Sequence, residues 1–257
     1  MNLNFYQHSA KKIDPKSTTP IVMIHGLFGD LSNLNTLARC LSDFRKIIQV
    51  DVRNHGSSKH NDEMNYIVMA RDILETLDAN RIDRIIIIGH SMGGKIAMTM
   101  TAIAPKRIEK IIVIDIAPVA YKIKQSYADI FTALNAVKDA KITSRQDAAN
   151  LMRQYIHEHN IMNFLLKSFE HGKWRFNLPC LHKRYKEILD WQIVPSWSKP
   201  ALFIRGEYSH YLDEVYYNYV LNQFPKAHIH LIAGSGHWVH FDKFYQLLSI
   251  IRKFVLT

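Results

Sequence analysis

Residues 85 to 104, IIIIGHSMGGKIAMTMTAIA, constrain the fold of this chain more than any other stretch. Four consecutive isoleucines suit a strand buried on both faces, because a parallel sheet covered by helices on each side has no solvated face to alternate with. Gly89-His90-Ser91-Met92-Gly93 follows at once, then Gly94 and a run of helix formers with Ile96, Met100 and Ile103 on the apolar side. Strand, five-residue turn and helix without a gap are the setting of a G-x-S-x-G elbow, in which a strained turn holds the serine hydroxyl above the end of a sheet. Positions 89 and 93 need glycine where strand and helix backbones approach, since any Cβ would collide there. The helix that starts past Ser91 aims backbone N–H groups and its positive dipole end at the same point. Ser91 is therefore the candidate nucleophile.

The remainder of the chain alternates apolar runs with helical patterns. Leu3 to Gln7 reads as an edge strand, followed by a polar loop, and Ile21 to Ile24 as a buried strand ending in His25-Gly26-Leu27-Phe28-Gly29-Asp30. A Gly-bracketed loop at a strand end can present free N–H groups to a developing oxyanion. The N–H of Leu27, or of Phe28, and that of Met92 are the candidates, while His25 is read as holding the loop. Leu34, Leu37, Ala38 and Leu41 predict a helix over 32–43 capped by Ser32. Ile47 to Val50 is a further strand, and Asp51, Arg53 and His55 after it read as a hydrogen-bonded structural loop. Tyr66 to Leu77 has an amphipathic helical pattern.

Ile111 to Ile114 ends in Asp115, an acid at the carboxyl end of a strand next to the serine strand, within reach of a base. Alternation then stops. Residues 119–198 carry helical patterns (128–137, 145–157, 162–169) and no central strand, which predicts a helical cap inserted into a core made of 1–118 and 199–257. The sheet resumes at Ala201 to Arg205 and closes with His228 to Ile232, before Ala233-Gly234-Ser235-Gly236-His237 and a final helix. His237, on a Gly-rich loop, is the candidate general base, and His240 is its competitor. The order Ser91, Asp115, His237 is that of α/β-hydrolases and not of chymotrypsin or subtilisin folds. Glu207 and Asp213 stay open as alternative acids. Phe28, Trp174, Phe176 and Trp238 are candidates to line a substrate pocket.

Composition removes several classes. No apolar run approaches the roughly 18 residues that span a bilayer, and the first 20 residues lack the apolar core of a signal peptide, so a cytoplasmic location is expected. Cys40 and Cys180 are too few and too separated for a disulfide framework. His228, His230, His237 and His240 lack the spacing of a zinc motif, and no metal is expected. The net charge of +10 is spread in ones and twos, a solvated surface and not a nucleic-acid footprint. Its functional reading is a field that attracts anionic substrates, to be checked by the salt dependence of kcat/KM.

Together these residues resemble the α/β-hydrolase superfamily along nearly the whole chain. HGLFGDLSNL, QVDVRNHGSS, GHSMGGK, IDIAPV, FLLKSF, WRFN and AGSGHWVH, in this order, are similar to the YbfF-type bacterial esterases. The resemblance implies a mostly parallel, doubly wound sheet with a helical cap, no cofactor, and hydrolysis of small carboxylic or thiol esters. It also implies Ser91, Asp115 and His237 as the triad. One departure matters: most of the superfamily carries its acid after the next-to-last strand, where this chain has Ser209, so Asp115 is chosen from the preceding strand. Rival readings are a carbon–carbon bond hydrolase or cofactor-free perhydrolase with the same triad, and a binding module with an inert one.

Overall fold

The computed structural model describes residues 1–11, 19–122 and 125–257, so most of the polar loop expected after the first strand lies outside the described residues. The described residues form nine strands: β1 (Phe5–His8), β2 (Ile21–Ile24), β3 (Ile47–Val50), β4 (Ile85–His90), β5 (Ile108–Ile114), β6 (Phe169–Glu170), β7 (Lys173–Trp174), β8 (Ala201–Gly206) and β9 (Ala227–Ile232). Seven of them make one sheet in the order β1-β3-β2-β4-β5-β8-β9. Only β1 runs antiparallel in it.

The isoleucines of β4 explain why this strand is central. Ile85 and Ile87 enter one core with Met69, Ile73 and Leu77 of helix Tyr66–Ala79 and Ile96 and Met100 of helix Met92–Ile103. Ile86 and Ile88 enter a second core on the opposite face, with Leu37 and Leu41 of helix Asn35–Leu41 and Leu247 and Ile251 of helix Phe244–Leu256. Period-two alternation thus splits a continuous apolar run between two helical layers. All four are fully buried, each contributing roughly 1.5–3 kcal/mol of transfer free energy. Strand order reverses between β2 and β4, and the crevice at their carboxyl ends is where an open α/β sheet binds ligands.

Some local expectations are corrected. The predicted helix over 32–43 is a 3₁₀ turn, Leu31–Leu34, followed by helix Asn35–Leu41, and its cap is Asp30 and not Ser32. The Asp30 carboxylate accepts the Ser32 N–H at 2.8 Å while Asn33 accepts the Asp30 N–H, a reciprocal box, and the hydroxyl of Ser32, two residues on, is spent donating to the same carboxylate. The helix expected over 145–157 ends at Met152.

Between β5 and β8 the chain leaves the sheet for helices Gln125–Asp139, Arg145–Met152, His159–Lys167, Leu178–Lys183 and Tyr185–Leu189, with β6 and β7 as a small hairpin. This inserted region docks on the strand-end loops through polar contacts. Ser168 Oγ donates to Phe28 O at 2.8 Å, the Asn177 N–H donates to Asn54 O at 2.8 Å, and Lys95 Nζ reaches the carbonyls of Leu189 and Asp190.

Candidate active site

Ser91 sits at φ 53°, ψ −120°, a conformation that costs an L-residue about 1–3 kcal/mol and is held by its surroundings. A Cβ on Gly89 would lie 2.2 Å from Gly93 O, and one on Gly93 would lie 2.3 Å from Ile24 O. Neither position tolerates a side chain without moving backbone, which accounts for both glycines. The Ser91 N–H donates to Ile114 O of β5 at 2.9 Å, tying the elbow to the neighbouring strand.

Three residues far apart in sequence meet there. His237 Nε2 lies 3.0 Å from Ser91 Oγ, and His237 Nδ1 lies 2.7 Å from Asp115 Oδ2. Asp115 directly follows β5, is fully buried and takes a positive φ of 56°, which turns its carboxylate toward β8. There Oδ1 accepts the Gly206 N–H at 3.0 Å, and Oδ2 accepts the Ser209 hydroxyl as well as the imidazole. The end of β8, where an acid stands in most of the superfamily, here supplies donors to an acid on β5.

The alternatives are engaged elsewhere. Glu207 Oε2 accepts the Gly234 N–H at 2.7 Å, and Asp213 pairs with Arg205 at 3.1 Å while capping the Glu214 N–H. His240 is buried with neither ring nitrogen hydrogen-bonded, its ring 4.6 Å from that of His90. Burial, then the neighbouring His237 and Lys167, push its pKa down to about 3.

The loop after β2 turns at Gly26–Gly29, closed by the Gly29 N–H to Gly26 O, with Phe28 at φ 64°. His55 Nε2 accepts the Phe28 N–H at 3.2 Å, so of the two candidate donors Phe28 is already engaged. Among the described residues no protein group accepts the N–H of Leu27 or of Met92. His25 anchors the same turn, Nδ1 bonding to Gly26 O at 2.8 Å and Nε2 accepting the Val52 N–H at 3.0 Å. Both histidines therefore carry their proton on Nδ1 and are neutral. Burial lowers both, His55 to about 3. Asp51 braces the loop behind them, accepting the N–H groups of Leu31 and Ser57, and Arg53 forms a two-point pair with Asp72.

A cavity of about 210 Å³ opens over Ser91 and His237. Phe28 and Trp238 line it. Trp174 and Phe176 do not: Phe176 packs 5.1 Å behind Phe28, and Trp174 stacks on Phe176 while its Nε1–H donates to Leu134 O. They hold the wall from behind. The sequence reading missed Tyr127, Ile130, Ile161, Phe164, Leu165 and Tyr211, which line the cavity together with Gly26, Leu27 and His90. Helical periodicity marks most of these positions as apolar but does not say which cap helix faces the sheet. A larger groove of about 540 Å³, along helices 66–79 and 92–103, contains none of the groups just described. Among the described residues no cluster of three or more His, Cys, Asp or Glu side chains is placed to hold a metal ion, and no helix is long and apolar enough to cross a membrane.

Residues 19–244 match the alpha/beta hydrolase fold family. The chain is 48% identical over 255 residues to esterase YbfF of Escherichia coli (strain K12), covering 99% of each. It is 36% identical over 247 residues to the sn-1-specific diacylglycerol lipase ABHD11 of Xenopus tropicalis, covering 92% of this chain and 77% of that one. The solved structure of a marine microorganism esterase superposes with a TM-score of 0.91 at 31% identity, covering 98% of this chain and 99% of that one. By sequence along its whole length and by fold, this chain belongs to the α/β-hydrolase family, close to the bacterial YbfF-type esterases.

Proposed function

We propose that Ser91, His237 and Asp115 form the catalytic triad of an esterase that transfers the acyl group of a carboxylic ester to water through an acyl-enzyme. The observation that carries this reading is the unbroken chain from Ser91 Oγ through both imidazole nitrogens to the buried Asp115, opening on a cavity. His237 Nε2 accepts the Ser91 proton as Oγ attacks the carbonyl carbon, then returns it to the leaving alcohol. Asp115 holds the imidazole with Nδ1–H toward itself and stabilises the cation that forms. The N–H groups of Leu27 and Met92 receive the oxyanion, and water repeats the sequence on the acyl-enzyme. A thioester presents the same carbonyl and fits the same steps.

The cavity is smaller than the roughly 300–1,000 Å³ of sites for drug-sized ligands, which supports a short acyl group as the part enclosed. Residues 119–198 form the cap in this reading, and 1–118 with 199–257 the catalytic core. A cytoplasmic location is part of it, supported by two unpaired cysteines, Cys40 and Cys180. The test is labelling by a fluorophosphonate probe. Wild type should label and Ser91→Ala and His237→Ala should not; labelling that persists in Ser91→Ala contradicts the assignment.

A further inference from the structure

His90 stands one residue before Ser91, as the last residue of β4, and is 4% exposed. Its Nε2 lies 3.0 Å from the backbone oxygen of His237. A carbonyl oxygen only accepts, so Nε2 carries the proton and Nδ1 is bare in the neutral ring. Burial, reinforced by the neighbouring His240 and His237, holds His90 well below the ordinary histidine range, which keeps it in that neutral form. The ring has little room to move. It contacts His237 at 4.9 Å and His240 at 4.6 Å between centroids, and its Nδ1 stands 3.1 Å from where a Cβ on Gly26 would be.

The loop it touches needs an anchor. His237 follows Gly234 and Gly236, and upstream of it the loop is tied by a Gly234 N–H to Glu207 and a Gly236 N–H to Asp242, both near the surface, and by the Tyr208 N–H to Ser235 O at 2.9 Å; none of these holds residue 237 itself. Asp115 and Ser91 engage the two imidazole nitrogens and the Tyr211 ring lies 4.2 Å from it, but none of these contacts holds the backbone that carries the ring. A hold on the backbone of residue 237 sets the point from which the ring reaches Ser91 and Asp115.

We propose that His90 is a positioning residue for His237: by donating its Nε2–H to the His237 carbonyl, it sets the base from the same strand end that carries Ser91. Adjacent residues of one strand then fix both partners of the 3.0 Å Ser91–His237 contact, so the spacing is determined locally even though the partners are 146 residues apart. The inference rests on the reading of His237 as general base.

Glutamine and asparagine separate the bond from the bulk of the ring. The amide nitrogen of glutamine reaches the place of Nε2, whereas that of asparagine stops at the place of Nδ1. With p-nitrophenyl acetate, His90→Asn should lower kcat by about a hundredfold, the scale of a misplaced catalytic group, with KM within about twofold. His90→Gln should keep kcat within about fivefold of wild type. Wild-type kcat in His90→Asn, or an equal fall in both variants at unchanged Tm, overturns the proposal. A reading that does not depend on variants folding is the ¹⁵N spectrum of the wild-type histidines at pH 7. His90 should show a protonated Nε2 and a bare Nδ1, and the opposite tautomer or a cation contradicts the proposal. Turnover that survives in His237→Ala sinks the underlying reading, and is seen without reference to His90.

Discussion

The floor of the site and its lid are built by opposite means. The floor consists of the loops after β2, β3, β4, β5 and β9, and it is polar, buried and hydrogen-bonded atom by atom: Asp115 to three donors, His25 and His55 at both nitrogens, His237 at both nitrogens and its carbonyl. The lid is aromatic and aliphatic, with Phe131 and Phe176 each against the ring of Phe28 below and Phe164 against Trp238. Directional bonds fix angles and so suit the group that moves a proton. Dispersion fixes only volume and so suits the group that accepts an acyl chain. Substitutions in the floor should therefore strike kcat, and substitutions in the lid should strike KM and chain-length preference.

The largest effect is expected at Asp115. Asp115→Asn should lower kcat by about three to four orders of magnitude, since the amide favours the wrong imidazole tautomer and cannot balance its charge. Steady-state kinetics above KM decide it, and a loss below about tenfold would return Glu207 or Asp213 to consideration.

Next comes the response of the whole floor to acid. His25, His55, His90 and His240 are buried and neutral, with His55 and His240 pushed down to about 3. The unfolded chain takes protons near the ordinary histidine value of about 6.5 that the folded chain refuses. Their contribution is therefore fully present above about 6.5 and is lost as pH falls below it, for His55 and His240 toward 3 and by about 1 kcal/mol each between pH 7.5 and 5.5. Urea melts at the two pH values test this. Because His240 makes no hydrogen bond, His240→Leu should flatten the dependence without destabilising the protein at pH 7.5. An unchanged slope would mean that His240 is not neutral when folded.

Ser209→Ala removes one donor from the Asp115 carboxylate and should cost about tenfold in kcat, the worth of one hydrogen bond to a charged group. In the lid, Phe164→Leu should raise KM for a butyryl ester about fivefold and leave kcat within twofold; a kcat effect larger than the KM effect would erase the division between floor and lid. The smallest effect belongs to Asp213→Asn, outside both regions. Its ion pair with Arg205 is partly exposed, so it should lose under about 1 kcal/mol of stability and no activity.

The same division explains what was legible in the sequence. Floor residues lie close after apolar runs, so Ser91, Asp115 and His237 stand out as candidates at strand ends, although the choice of Asp115 over Glu207 and Asp213 rests on the family resemblance. Their support is less visible. Ser209 and Gly206 reach Asp115 only because β8 lies beside β5, and His90 reaches the His237 loop across the sheet from within the elbow itself. Lid residues are read worst. Trp174 and Phe176 have the composition of a pocket wall and lie one layer behind it, whereas Tyr127 and Phe164 line the cavity through helix directions that no local spacing encodes. The cap of the first helix after β2 shows the same limit at small scale: Asp30 and Ser32 are both good caps, and the side chain of Asn33 decides between them.

The most direct measurement is mass analysis of the enzyme stopped during turnover of p-nitrophenyl butyrate. One butyryl group on the peptide that carries Ser91, absent in Ser91→Ala, is the predicted result. An acyl group on another residue, or turnover that continues in Ser91→Ala, would contradict the account.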